Sequence, residues 1–140
     1  MADYLVDSDV AIWHLRGAEA VVRSVVALSQ RGRIGMSVIS RAEVLQGMRD
    51  TEREGTLAFL DACETLPITR AEADRAAEIV RSYRGRGITI TLPDALIGAT
   101  ALEAATPLYT CNARHFPMEG LEVREIRVGK VSRATGRRKR

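Results

Sequence analysis

Aromatic side chains make up only 4% of this 140-residue chain, so its core has to rest on Leu, Ile, Val and Ala. With 46% hydrophobic residues, those are enough for one compact domain. No apolar stretch approaches the ~20 residues that cross a bilayer, which excludes a spanning helix. Asp3, Asp7 and Asp9 interrupt the first apolar run, so it does not read as a secretion signal and a cytoplasmic location is expected. Cysteine is nearly absent. Cys63 and Cys111 lack the Cys or His spacing of a zinc site and read as two buried thiols.

Charged residues, at 28%, are ordinary for a folded body, but they are unevenly placed. Lys130, Arg133, Arg137, Arg138, Lys139 and Arg140 gather six positive charges, and no acid follows Glu125. Without those six the net charge of +3 becomes −3 for residues 1–129. The chain therefore divides into a domain over residues 1–128 and a basic tail over 129–140, which its composition predicts to be disordered.

Residues 4–6 read as a short buried strand running into Asp7, with Ser8 or Asp9 capping a helix over 10–15. The spacing of Val21, Val22, Val25, Val26 and Leu28 predicts a helix over 18–30. Residues 34–39 read as a second strand, and 40–48 and 57–63 as helices. Leu66-Pro67-Ile68 is an extended link that a sheet edge can pair. Residues 71–83, acidic early and Arg-rich late, suit a helix dipole. A loop over 88–92 enters a helix over 93–105. Residues 108–110 and 121–128 are the third and fourth strands. Strands alternating with helices imply parallel pairing in an α/β fold with helices on both sheet faces.

In open sheets of this kind, ligands collect beyond the carboxyl ends of the strands. Asp7 lies at such an end, Glu43 a few residues past another, and Thr110, Asn112 and His115 follow a third. Asp94 opens the helix over 93–105, where Ile97 or Gly98 and Ala101 share its face, and small residues there permit close approach to the sheet. Gathered carboxylates repel, and a hard cation such as Mg2+ relieves that repulsion. The ion then activates a water for hydrolysis, with one carboxylate available as base. A metal-dependent nuclease is the leading reading. Each acid also admits a structural explanation. Ser40-Arg41-Ala42-Glu43 spells a capping box, Thr91-Leu92-Pro93-Asp94 a looser one, and Asp7 can satisfy backbone donors at its turn. Asp7-Ser8-Asp9 has the look of the paired-Asp motif of aspartyl-phosphate enzymes. Those generally need a lysine nearby, and Lys130 and Lys139, both in the tail, are the only ones, so that chemistry is disfavoured.

Four blocks together resemble the PIN-domain ribonucleases, and in particular the bacterial VapC toxins of type II toxin–antitoxin systems. They are residues 4–10 (YLVDSDV), 37–47 (SVISRAEVLQG), 93–101 (PDALIGATA) and, less perfectly, 110–116 (TCNARHF). The resemblance covers residues 3 to about 126, and the order and spacing of the blocks make it specific. It implies a three-layer α/β/α sandwich and an Mg2+ or Mn2+ site on Asp7, Glu43 and Asp94. It also implies endonucleolytic cleavage of RNA (often tRNA or rRNA), inhibition by a cognate VapB-like antitoxin, and a homodimer. Many relatives carry a fourth acid where this chain has His115, which weakens the case for a second metal. Asn112 still offers a side-chain oxygen to the ion or its water. His115 either contacts the scissile phosphate or sits on the loop surface. Ser8 adds a hydroxyl, as a helix cap or a minor site contributor. Trp13 reads as core or as part of a partner groove. Arg16, Arg41, Arg84 and Arg86 are weaker RNA candidates than the tail. There Lys130, Arg133, Arg137 and Arg138 either attract RNA without regard to sequence or form a solvated appendage. A housekeeping RNA-processing nuclease and a silent RNA- or protein-binding module are the alternatives.

Overall fold

The computed structural model describes residues 1–129; the tail bearing Lys130, Arg133, Arg137 and Arg138 lies outside them. The elements are β1 (Tyr4–Val6), α1 (Ser8–Leu15), α2 (Glu19–Arg31), β2 (Ile34–Ser37), α3 (Val38–Gly47) and α4 (Arg53–Ala62). They continue as β3 (Glu64–Leu66), α5 (Arg70–Arg84), α6 (Leu92–Ala104), β4 (Leu108–Thr110) and β5 (Val123–Glu125). A 3-10 turn at Asp50–Glu52 precedes α4, and another at Ala113–His115 follows β4.

The five strands form one wholly parallel sheet in the order β3-β2-β1-β4-β5. Successive residues of a strand face opposite sides, and β1 shows both. Leu5 packs with Ala95, Ile97, Leu108 and Tyr83 against α5 and α6. Val6 packs with Val10, Val21, Val25 and Leu60 against α1, α2 and α4. Two cores on two faces make a three-layer α/β/α sandwich. Among the described residues no helix is long and apolar enough to cross a membrane.

The chain builds outward from β1 to β2 and β3, then returns to the other side of β1 for β4 and β5. The crossing direction therefore switches between β1 and β4, which opens a crevice at the carboxyl ends of those two strands.

Several local readings are corrected. The link at 66–68 does pair at the sheet edge through Leu66, the last residue of an edge strand that begins at Glu64, so the sheet has five strands rather than four. The second strand stops at Ser37, because the Ser37 hydroxyl accepts the Ile39 amide at 3.1 Å and starts α3 there. The last strand is only Val123–Glu125; Ile126 and Val128 turn instead into the α1–α4 core. Gly98 does not meet the sheet. A Cβ there would lie 3.0 Å from the methyl of Met118, so the missing side chain admits the loop that follows the second 3-10 turn.

Candidate active site

All strands run the same way, so their carboxyl ends share one pole. Asp7 leaves β1 there, and Thr110 ends β4 beside it. Asp7 is the N-cap of α1, a role the sequence had given to Ser8 or Asp9. Its Oδ1 accepts the Ser8 amide at 2.8 Å. Its Oδ2 accepts the Thr110 hydroxyl at 2.9 Å. Each oxygen retains an unused lone pair.

Thr110 is fully buried, and its hydroxyl also lies 3.4 and 3.5 Å from the two oxygens of Asp9. The Cys111 amide donates to Asp9 Oδ1 at 3.2 Å, and the Asn112 amide donates to the Thr110 oxygen at 3.1 Å. One threonine thus links two carboxylates from α1 to the turn beyond β4. Sequence reasoning missed Asp9. The Asp7-Ser8-Asp9 doublet was weighed as a phosphatase motif, and Asp9 as a helix cap.

Glu43 is not part of a capping box. Ser40 lies inside α3, fully buried, and its hydroxyl has no partner among the described residues. The helix begins three residues earlier than the box requires, which carries Glu43 beyond the first turn. Its Oε1 instead accepts the Ser8 hydroxyl at 2.9 Å, from an element 35 residues away. Asp94 sits in the first turn of α6, where its amide donates to the capping Thr91 hydroxyl at 3.3 Å. Pro93 is harmless there because a first-turn amide has no helical acceptor to lose.

The second 3-10 turn closes the pole. His115 Nδ1 is 3.8 Å from Asp94 Oδ2, and its Nε2 is 3.2 Å from the Asn112 amide nitrogen. With that nitrogen donating, Nε2 must accept, so neutral His115 carries its proton on Nδ1, facing Asp94. The turn is held by the Ala113 amide, which donates to Glu125 Oε1 at 3.0 Å. The imidazole is half-exposed, with Nδ1 facing the Asp94 carboxylate.

The electrostatics reflect crowding without cations. Among the described residues no Arg or Lys forms an ion pair with Asp7, Asp9, Glu43 or Asp94. Burial and the adjacent Asp9 charge, with a further push from Asp94, hold the Asp7 carboxyl up at about 7, against the pull of its Thr110 and Ser8 hydrogen bonds. Burial also raises Asp9, opposed by the Cys111 and Val10 amides, Thr110 and His115. Cys63 and Cys111 are half-buried free thiols, pushed up chiefly by burial to about 11 and about 12, so neither offers a thiolate at neutral pH.

Among the described residues no three His, Cys, Asp or Glu side chains already stand as a metal cage. The fit to a divalent ion is one of donor chemistry: hard carboxylate oxygens with free lone pairs and no competing cation. A separate groove of about 230 Å³ runs between α1, α3 and α4, and none of the four acids lines it. Ile12, Trp13 and Leu15 of α1 all pack against the core, and Ile12 and Leu15, but not Trp13, also line the groove.

A wholly parallel α/β/α sandwich with acids at its switch point defines the class, and residues 4–118 match the PIN domain family. The chain belongs to that family. Within it, the chain is 42% identical over 114 residues to Ribonuclease VapC10 of Mycobacterium tuberculosis (strain ATCC 25618 / H37Rv), covering 81% of this chain and 86% of the relative. It is 36% identical over 115 residues to Ribonuclease VapC19 of the same strain, covering 81% and 92%. Among solved structures, DNA-bound VapBC from Salmonella typhimurium superposes with a TM-score of 0.75 at 21% identity, covering 89% of this chain and 98% of that one. FitAcB from Neisseria gonorrhoeae gives 0.73 at 24% identity, covering 86% and 95%. At those identities the solved structures speak to the fold alone.

Proposed function

We propose that this chain is a divalent-metal-dependent endoribonuclease acting as the toxin of a toxin–antitoxin pair. The observation that carries the reading is Asp7: a buried carboxylate at the β1–β4 switch point, pressed by Asp9 and Asp94 and, among the described residues, paired with no cationic side chain. The relatives named ribonucleases, and their coverage of this chain, support an RNA substrate, with tRNA or rRNA as the candidates.

Asp7, Glu43 and Asp94 would hold the Mg2+ or Mn2+ ion. When bound, it supplies the Lewis acidity that activates a water toward phosphorus and offsets charge growing on the phosphate oxygens. Ser8 fixes the Glu43 carboxylate through its hydroxyl, and Thr110 fixes that of Asp7. His115, its Nδ1 proton toward Asp94, orients that carboxylate and presents a half-exposed face to an incoming phosphate. Asn112 sets the imidazole's tautomer.

Toxins of this kind need a restraint. A VapB-like antitoxin is the partner we assign, supported by the toxin–antitoxin complexes among the structural neighbours. The groove beside α1, apolar at Ile12, Leu15 and Val44, suits an apolar partner segment. A homodimer in the cytoplasm completes the proposal.

The purified chain should cut a structured RNA in Mg2+ and stop when EDTA is added. Asp7→Asn and Asp94→Asn should each abolish cleavage with unchanged circular dichroism. Equal cleavage by variants and wild type would trace the activity to another site or to a contaminant. A short upstream gene whose product co-purifies and silences cleavage would separate a toxin from a housekeeping nuclease.

A further inference from the structure

The arginines at the junction of α5 and α6 stand where a polyanion would have to approach. Arg75, early in α5, pairs with Glu103 near the end of α6, so the two helices run antiparallel. The end of α5, with Arg81 and Arg84, therefore lies at the same pole as Asp94 at the start of α6. A helix dipole favours cations in a last turn, which accounts for Arg81 and Arg84 in part. It does not account for Arg86, which lies beyond the helix.

Arg86 is held in place. Its guanidinium carbon sits 4.1 Å from the centre of the Tyr83 ring. The Tyr83 hydroxyl donates to the Pro117 carbonyl at 3.1 Å and accepts the Glu119 amide at 2.9 Å, which ties it to the segment just past His115. Below the side chain, the Arg86 and Ile88 amides both donate to the Tyr83 carbonyl at 2.9 Å, and the Gly87 amide to that of Arg84 at 3.0 Å. Gly87 closes this turn at φ +78°, a conformation a side chain would resist. Arg86 lies 3.6 Å from Glu119, but both side chains are more than half-exposed, so that pair is weak. Arg81 and Arg84 are exposed and form no ion pair among the described residues.

We infer that Arg81, Arg84 and Arg86 bind the RNA backbone beside the acidic pole, with Arg86 held ready for a phosphate by the Tyr83 ring. This rests on the RNA reading above. Residues 1–129 carry a net charge of −3, so a nucleic acid drawn toward the acids needs a cationic flank. A planar guanidinium stacked on an aromatic face and open to solvent keeps its paired donors free for phosphate oxygens.

The test is binding of a short fluorescein-labelled single-stranded RNA to the metal-free full chain, by anisotropy at several salt concentrations. Wild type is compared with Arg84→Gln/Arg86→Gln and with Arg31→Gln/Arg70→Gln. Arg31 ends α2 just before β2, and Arg70 opens α5, so the second pair removes the same charge from the opposite end of the sheet. The Arg84/Arg86 variant should bind at least about tenfold more weakly, the loss of a charge-assisted hydrogen bond. Its slope of log Kobs against log salt should fall by about 1.4, as for two phosphate contacts on a single strand. The Arg31/Arg70 variant should stay within about twofold of wild type. If the Arg84/Arg86 variant does not fold, Arg81→Gln/Arg84→Gln, both exposed, takes its place. Equal losses in the two variants, or no loss in either, overturn this inference and leave the RNA reading standing. So does unchanged RNA binding with an altered oligomeric state by light scattering, which would make this rim a protein interface. A wild-type chain that binds no RNA overturns the RNA reading and takes this inference with it.

Discussion

The two ends of the sheet treat acidic residues in opposite ways. Where the strands begin, Asp3 accepts the Arg33 amide at 2.7 Å, and Glu64 lies 3.4 Å from the chain's amino group and 3.7 Å from Arg33. Where they end, Asp7, Asp9, Glu43 and Asp94 meet hydroxyls, amides and one imidazole, and among the described residues no Arg or Lys. Even Arg114, in the turn that closes this pole, forms no ion pair with them. Charge at the first end joins strand entries, and charge at the second meets no Arg or Lys side chain among the described residues.

The largest break in that contrast should come from Glu43→Gln. The glutamine carbonyl still accepts the Ser8 hydroxyl, so melting should barely move. RNA cleavage should fall on the order of 100- to 1000-fold, as when one charge-stabilising group is lost from an active site. A large drop in melting temperature with cleavage retained would return Glu43 to a structural role.

Next comes Asp7→Asn in metal-free protein. The carboxyl stands at about 7 folded against 3.8 unfolded, so the folded state holds the proton more tightly. That contribution to stability is fully present below 3.8 and is lost progressively as pH rises through about 7. Asparagine never ionises. The variant should therefore be more stable than wild type at pH 8, by on the order of 2–4 kcal/mol, and the gain should shrink toward zero near pH 4. Denaturant unfolding at both pH values measures it. A variant less stable at pH 8 would mean that this charge is already offset within the fold.

Gly35→Ala probes the other end. An added Cβ would lie 2.7 Å from that of Ala2 and 3.1 Å from the Glu64 carbonyl, neither of which can swing aside. Stability should fall by about 1–3 kcal/mol in denaturant unfolding, with Mn2+ affinity unchanged. Arg33→Ala should have the smallest effect. Its side chain is 61% exposed and 3.7 Å from Glu64, so the pair is worth less than about 1 kcal/mol, and 0.5 M salt should erase the difference.

Much of the fold was legible because each signal was local. The apolar spacing of Val21, Val25 and Leu28 marked α2, and Asp7 after Leu5-Val6 marked a strand end. Cap positions were less legible. The sequence reading put the cap at Ser40, and only the register that leaves Ser37 at the end of β2 moved it to Ser37. The edge strand Glu64–Leu66 is three residues long and half-buried, too short for a periodic pattern to declare it. Asp9 was invisible for another reason: its partners, Thr110 and Cys111, lie a hundred residues on.

By itself, the sequence determined the alternation of strands and helices, the acids at their junctions, and a body too poor in lysine for aspartyl-phosphate chemistry. Those depend on residue type and short-range spacing, which a chain carries before it folds. Only the tertiary structure decided that the crossing direction switches between β1 and β4. Nor could the sequence say that Thr110 stands between Asp7 and Asp9, or that Glu43 turns to Ser8 instead of its own helix end. Strand order and long-range hydrogen bonds set those pairings, and no local propensity encodes them.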